Sequence, residues 1–269
     1  MTVRRLRTSV DDGYRSPLAP GLRSGEEARR LAEELAFAQT RLNVLQSAPP
    51  GLFAEVADPS GDPEERAWLA FLIAYLGPLE DAEDPFASIA AVRTPWASGR
   101  MPELAEAQAG PRTAHDPAHP PRTLEAYRAW AQRAGSQAQA LRGEAAWPPE
   151  RRFARTFERL ALPGLHRGAR FEFLVSLGRL GVEELRAAEL ALVGDDDVTV
   201  AAKRALGIGD RMLLERRAAR LAAAAGVELA ALDLGLFNWE RGRRASVGLG
   251  PEAASDPEVL EAAYGALEL

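Results

Sequence analysis

The sequence predicts an all-α protein. Three observations carry that expectation. Alanine, leucine, arginine and glutamate dominate the chain, strand-like runs of β-branched residues are nearly absent, and apolar residues recur at helical spacing in one segment after another. With 269 residues, 46% of them hydrophobic, the chain is long enough for one large core or two smaller ones.

Taken in order, residues 1–25 read as an irregular arm, basic at first and then rich in Gly and Pro. Glu26 to Gln46 carries Leu31, Leu35, Ala38, Leu42 and Leu45 on one stripe and stops at Ala48-Pro49-Pro50-Gly51. Asp62-Pro63-Glu64-Glu65 is a helix start, and Trp68, Phe71, Leu72, Tyr75 and Leu79 make the helix behind it strongly apolar. Pro85 to Val92 is a further short helix. Thr94 to Pro121 lacks apolar periodicity and reads as a long loop, a length usually tied to function or disorder. Thr123 caps a helix running through Tyr127 and Trp130 to Leu141. Phe153, Phe157 and Leu160 mark the next helix, Leu162-Pro163-Gly164 ends it, and Ala169 to Leu180 follows with Phe171, Leu174 and Val175 on one side. Val182 to Val193 holds a turn or two strands' worth of insertion. Asp197 opens a helix to Leu206, and Asp210 opens a long one with Leu214, Ala218, Leu221 and Ala225 inside. Gly207-Ile208-Gly209-Asp210 is too short for a nucleotide fingerprint and reads as a helix-to-helix turn. Leu229 to Trp239 is helical, Gly242 to Gly250 is a basic loop, and Asp256 to Leu269 is a terminal helix.

Helix, LPG turn and helix together make a helix-hairpin-helix. Its physical use is to point the backbone N–H groups of the second helix's first turn outward, where the helix dipole helps them receive a phosphate. The net charge of −6 argues against coating nucleic acid everywhere. From Glu150 to Arg179, however, seven arginines face three glutamates, a local charge of +4.

LPGLHRG followed by a helix, then an Asp opening another helix with a basic residue inside, resembles the helix-hairpin-helix DNA glycosylases. More narrowly, ERAWLAFLIAYLGPLEDAEDPFASI, RTPW, LPGLHRGARFEFLVSLGRLG, AAKRALGIGDRMLLERRAARLAAAAGV and ALDLGLFNW are similar to the alpha-glutamyl/putrescinyl thymine pyrophosphorylase family. That family is the hypermodified-pyrimidine branch of the superfamily, and the segments span roughly half the chain. The resemblance implies an all-α fold of two helical lobes flanking a cleft. The expected parts are an arm (1–25), N-terminal helices with a pocket loop (26–121), a hairpin lobe carrying the catalytic Asp segment (122–207), and C-terminal helices returning to the N-terminal lobe (208–269).

The resemblance also implies site residues. Gly164, His166, Arg167, Gly168 and Arg170 of the hairpin, with Lys203 and Arg204, would contact duplex DNA. Tyr75, Glu80 and Trp96 would border a pocket for a flipped-out base, although aromatic residues such as Trp96 and Tyr75 are more often core. A carboxylate would stabilise the oxocarbenium character of the sugar and position water. The candidates are Asp195, Asp196 and Asp197, with Asp197 best placed as N-cap and Asp196 its substitute. The family register instead puts Thr199 at that point, and three adjacent acids are also what a solvated turn with one ordinary cap looks like. Strand-cutting relatives carry a lysine where Gly168 stands, His166 replaces the hairpin's usual second glycine, and the chain's one lysine, Lys203, reads as a surface residue. A monofunctional, water-using glycosylase is therefore expected, acting on a bulky modified pyrimidine such as glucosylated hydroxymethylcytosine in phage DNA. A repair glycosylase and a non-catalytic DNA-binding module are the alternatives.

Cysteine is absent, which excludes disulfides, thiol catalysis and thiolate-bound clusters. His115 and His119 have metal-pair spacing on a helix, but Pro117 favours a loop, so no metal or cofactor is expected. No apolar run of membrane-spanning length and no signal pattern at MTVRRLRTSV are seen, so a soluble, cytoplasmic protein is expected. A monomer acting on duplex DNA is the expected form.

Overall fold

The computed structural model describes residues 11–116, 120–250 and 253–269. Among the described residues every regular element is helical: α1 (Gly25–Ser47), α2 (Leu52–Ala57), α3 (Pro63–Leu76), α4 (Ala87–Val92), α5 (Pro120–Arg133), α6 (Gln137–Arg142), α7 (Pro149–Arg159), α8 (Arg167–Arg179), α9 (Asp197–Leu206), α10 (Arg211–Ala224), α11 (Leu229–Arg241) and α12 (Pro257–Ala266), with one 3₁₀ turn at Trp96–Ser98. The fold is all-α. No single helix among them is long and apolar enough to cross a membrane.

Local signals explain most boundaries. Asp62 caps α3 by accepting from the Glu64 and Glu65 N–H groups, with Pro63 in the first turn. Asp210 and Asp256 cap α10 and α12 in the same way. Three expectations are corrected. The single helix from Thr123 to Leu141 is two, because Gly135 takes φ +95° and Ser136 caps a new helix through the Gln139 N–H. Thr123 is no cap: α5 already starts at Pro120, and the Thr123 hydroxyl donates to the Pro163 carbonyl at 2.9 Å. The stretch 182–193 forms no regular element. The backbone N–H groups of Leu190 and Leu192 are satisfied by the Glu215 carboxylate instead.

The chain divides into two compact units. One comprises described residues 41–188, 244–250 and 253. Its core is α3, buried from Ala67 through Leu76 and packed against α8. Trp68, Phe71, Tyr127 and Phe173 form a ring cluster there, with Phe71 stacked on Tyr127 at 3.7 Å between centroids. A second cluster, Phe153, Phe157 and Phe171, joins α7 to α8. Arg41 and Glu172 form a buried ion pair at 2.6 Å, steadied by Ser176 donating to Glu172 and by Arg41 donating to the Val247 carbonyl.

The other unit comprises residues 11–40, 189–243 and 254–269. In it α9 packs on α11 and α10, and α9 buries the small side chains Ala201, Ala202 and Ala205, which permit close approach of its neighbours. A Cβ on Gly21 would lie 1.9 Å from the Arg204 carbonyl oxygen, so the segment before α1 can lie on α9 only with glycine there. The boundary between Ala188 and Glu189 falls inside the 122–207 stretch expected as one lobe. The LPG turn thus belongs to one unit and the three-aspartate turn to the other.

Candidate functional site

The connection between α7 and α8 is a tight turn built around Pro163 and Gly164. Leu165 N–H donates to the Leu162 carbonyl at 3.1 Å, and Gly164 takes φ +75°. Glycine is required there twice: the angle disfavours other residues, and a Cβ would lie 2.3 Å from Thr123 Oγ1. His166 is the extended N-cap residue of α8 and makes no side-chain cap hydrogen bond. Gly164 and His166 are exposed and Gly168 is half-buried.

The two arginines expected to join them point elsewhere. Arg167 is 3% exposed, its guanidinium 4.9 Å from the Phe171 ring centre. Arg170 lies 4.4 Å over Phe157 and donates to the Phe157 carbonyl at 3.2 Å. Cation–π stacking on rings one helical turn away, or across the turn, holds both charges in the packing of α7 on α8. A different cation approaches the turn. Arg112, from the long loop and itself buried at 7% exposure, comes to the start of α8, where a Cβ on Gly168 would lie 3.8 Å from its Nη2.

In the other unit, the cap of α9 is Asp196 and not Asp197, which is the first helical residue. Asp196 accepts from the N–H groups of Val198 at 3.0 Å and Thr199 at 3.4 Å, and the buried Thr199 hydroxyl also donates to it. The signal was in the sequence: a threonine three residues after an aspartate closes a cap with its own hydroxyl, and only Asp196 has one. Asp195 is fully out in solvent and pairs with Lys203 at 3.6 Å. Arg204 is bound to Glu27 at 2.7 Å and Glu240 at 3.1 Å, and lies 4.6 Å over Trp239, so it is part of that unit's packing.

No known family, curated protein or solved structure matches the chain.

The residues expected to border a base pocket each have their own partners. Tyr75 is 1% exposed, stacks on Phe71, and its hydroxyl meets His115 Nδ1 at 3.3 Å. Glu80 binds the Ser246 and Val247 N–H groups and anchors the 244–250 loop. Trp96 packs against Trp68 and carries the Arg128 guanidinium on its face at 4.2 Å. A cavity of about 590 Å³ does open next to Trp68 and Leu72, but in its wall Glu55, Asp58, Asp62 and Glu65 outnumber Arg66 and Arg93, a balance unfavourable to phosphate.

His115 and its loop were missed as structural partners of α3. The Ala114 N–H and Thr113 hydroxyl both donate to the Tyr75 carbonyl, laying the loop along the end of α3. Burial pushes the His115 imidazole below its ordinary pKa and favours the neutral ring. His119, which has metal-pair spacing to it in the sequence, lies outside the described residues. Among the described residues no group of three or more ligating side chains is arranged to hold a metal ion.

Proposed function

We propose that this protein binds duplex DNA through the α7–α8 turn and hydrolyses the N-glycosidic bond of a modified base. The observation that carries the reading is the start of α8: an exposed glycine turn and a helix N-terminus without a side-chain cap, with the Arg112 guanidinium beside it. Backbone N–H groups at such an end attract an anion, and a neighbouring cation strengthens the attraction. Asp196 is the carboxylate of choice, because two N–H groups and one hydroxyl fix its position. Held near C1′ of the sugar, it would offset positive charge as the C1′–N bond breaks. Water then bonds to C1′, the bond's electron pair leaves with the base, and the water's proton ends on the departing base. The products are free base and an abasic site. With Gly168 at the hairpin position of the strand-cutting lysine, the reading remains a monofunctional hydrolase. The resemblance supports a bulky modified pyrimidine of phage DNA as substrate and therefore a defensive role.

One observation favours a second reading, a DNA-binding module without chemistry: the Val198 and Thr199 N–H groups and the Thr199 hydroxyl bind Asp196 as they would any helix cap. Incubation with duplexes carrying different modified bases, followed by alkali, separates the two. Strand breaks at the modified position support the enzyme; intact strands with tight binding support the module.

A further inference from the structure

The turn between α9 and α10 carries the two most exposed large apolar side chains among the described residues, Ile208 at 93% and Met212 at 72%. They lie four residues apart, on the tip and on the first turn of α10. The tip is a built feature. Arg217 Nη1 donates to the Leu206 carbonyl at 2.8 Å, Asp210 caps Leu213 at 2.8 Å, and a Cβ on Gly209 would lie 2.9 Å from the Leu213 side chain. Behind the tip Leu214, Ala218 and Leu221 of α10 are buried and Leu213 is half-buried, so the fully exposed large apolar side chains of the tip are these two.

Charge surrounds them. Between Lys203 and Arg220 six basic residues face two acidic ones, a local +4 in a chain of net −6. Arg204 and Arg217 are held within the unit, and Arg211 pairs with Glu189. Arg216 and Arg220 are exposed on α10. Two apolar side chains cover too little area for a stable protein interface and form no stripe for a bilayer surface. They do match the step between two stacked base pairs, which apolar wedges open from the minor groove while basic residues hold the phosphates on either side.

We propose that the α9–α10 tip is a second DNA-docking element, with Ile208 and Met212 inserted at a base step and Arg216 and Arg220 on the flanking phosphates. The proposal rests on the DNA-binding reading and adds to it a contact in the unit that carries Asp196.

The test uses the full chain and a duplex containing 2-aminopurine, whose fluorescence rises on unstacking. The parent should bind and raise the signal. Ile208→Ser with Met212→Ser should abolish the rise and weaken binding about tenfold, with helix content unchanged since both side chains are exposed. Arg216→Ala with Arg220→Ala should keep the rise at saturation and lower the slope of log affinity against log salt by about two. A parent that binds duplex without any rise, or a double-serine variant that keeps it, overturns the wedge and leaves the DNA reading standing. A parent that binds no duplex removes both. Loss of binding to anionic vesicles, or of self-association in sedimentation, in the double-serine variant with its DNA binding unchanged, would assign the tip to a membrane or a second copy and overturn the proposal.

Discussion

Replacing His166 by aspartate should change stability and DNA affinity in opposite directions. His166 sits at the N-cap of α8 with extended backbone (φ −64°, ψ 158°), the geometry a capping aspartate adopts, yet its side chain makes no cap hydrogen bond. An aspartate there would accept from the first-turn N–H groups, worth about 1 kcal/mol, and would meet the positive end of the helix dipole. For a chain of this size that is a rise in Tm of roughly 2–4 °C. The same carboxylate would occupy the place of a DNA phosphate. At about 4 Å, two unit charges repel by about 1 kcal/mol in bulk water and about 4 kcal/mol at a protein surface, a loss of roughly fivefold to a thousandfold in affinity. His166→Asn supplies a cap without the charge and should lose much less. Thermal unfolding and fluorescence anisotropy with a labelled duplex at fixed salt would measure both effects. If His166→Asp gains stability and binds as the parent does, the start of α8 is not where phosphate is held.

Three further outcomes follow. Asp196→Asn keeps a capping oxygen and should stay folded and bind DNA, yet lose excision by orders of magnitude; Asp196→Ala should in addition lose about 1 kcal/mol of stability, so equal turnover in parent and Asn variant under single-turnover conditions would reduce Asp196 to a cap. Arg41→Met leaves Glu172 buried and unpaired and should cost about 3–5 kcal/mol in denaturant unfolding, while adding Glu172→Leu should recover most of it. His115, held neutral by burial, binds a proton more readily when unfolded, so its contribution is present above its ordinary pKa near 6.5 and is lost as pH falls below that; the stability of His115→Gln should fall less steeply than the parent's between about pH 7.5 and 5.

The helical class was legible because it rests on local terms. Periodic leucines placed α1, aspartates at caps placed α3, α10 and α12, and the LPG turn placed the junction of α7 and α8. What escaped was partner choice. Arg167 reads as a surface cation until its i, i+4 spacing to Phe171 is noticed, whereas the ring under Arg170 comes from another helix and leaves no local trace. The approach of Arg112 to Gly168, and the bonds from Thr113 and Ala114 to the Tyr75 carbonyl, link residues more than thirty positions apart in a loop without periodicity. Three consecutive aspartates offered no contrast among themselves; Thr199 did, through its hydroxyl.

Excision of a modified base is tested most directly by one measurement. The purified full chain is incubated with end-labelled duplexes identical except for one pyrimidine, either unmodified, hydroxymethylated or glucosylated, and each product is treated with alkali and resolved by length. Cleavage at the bulky modified position, absent from the unmodified duplex and absent with Asp196→Asn, is the predicted result. Every duplex bound and none cut, with parent and variant indistinguishable, would contradict it.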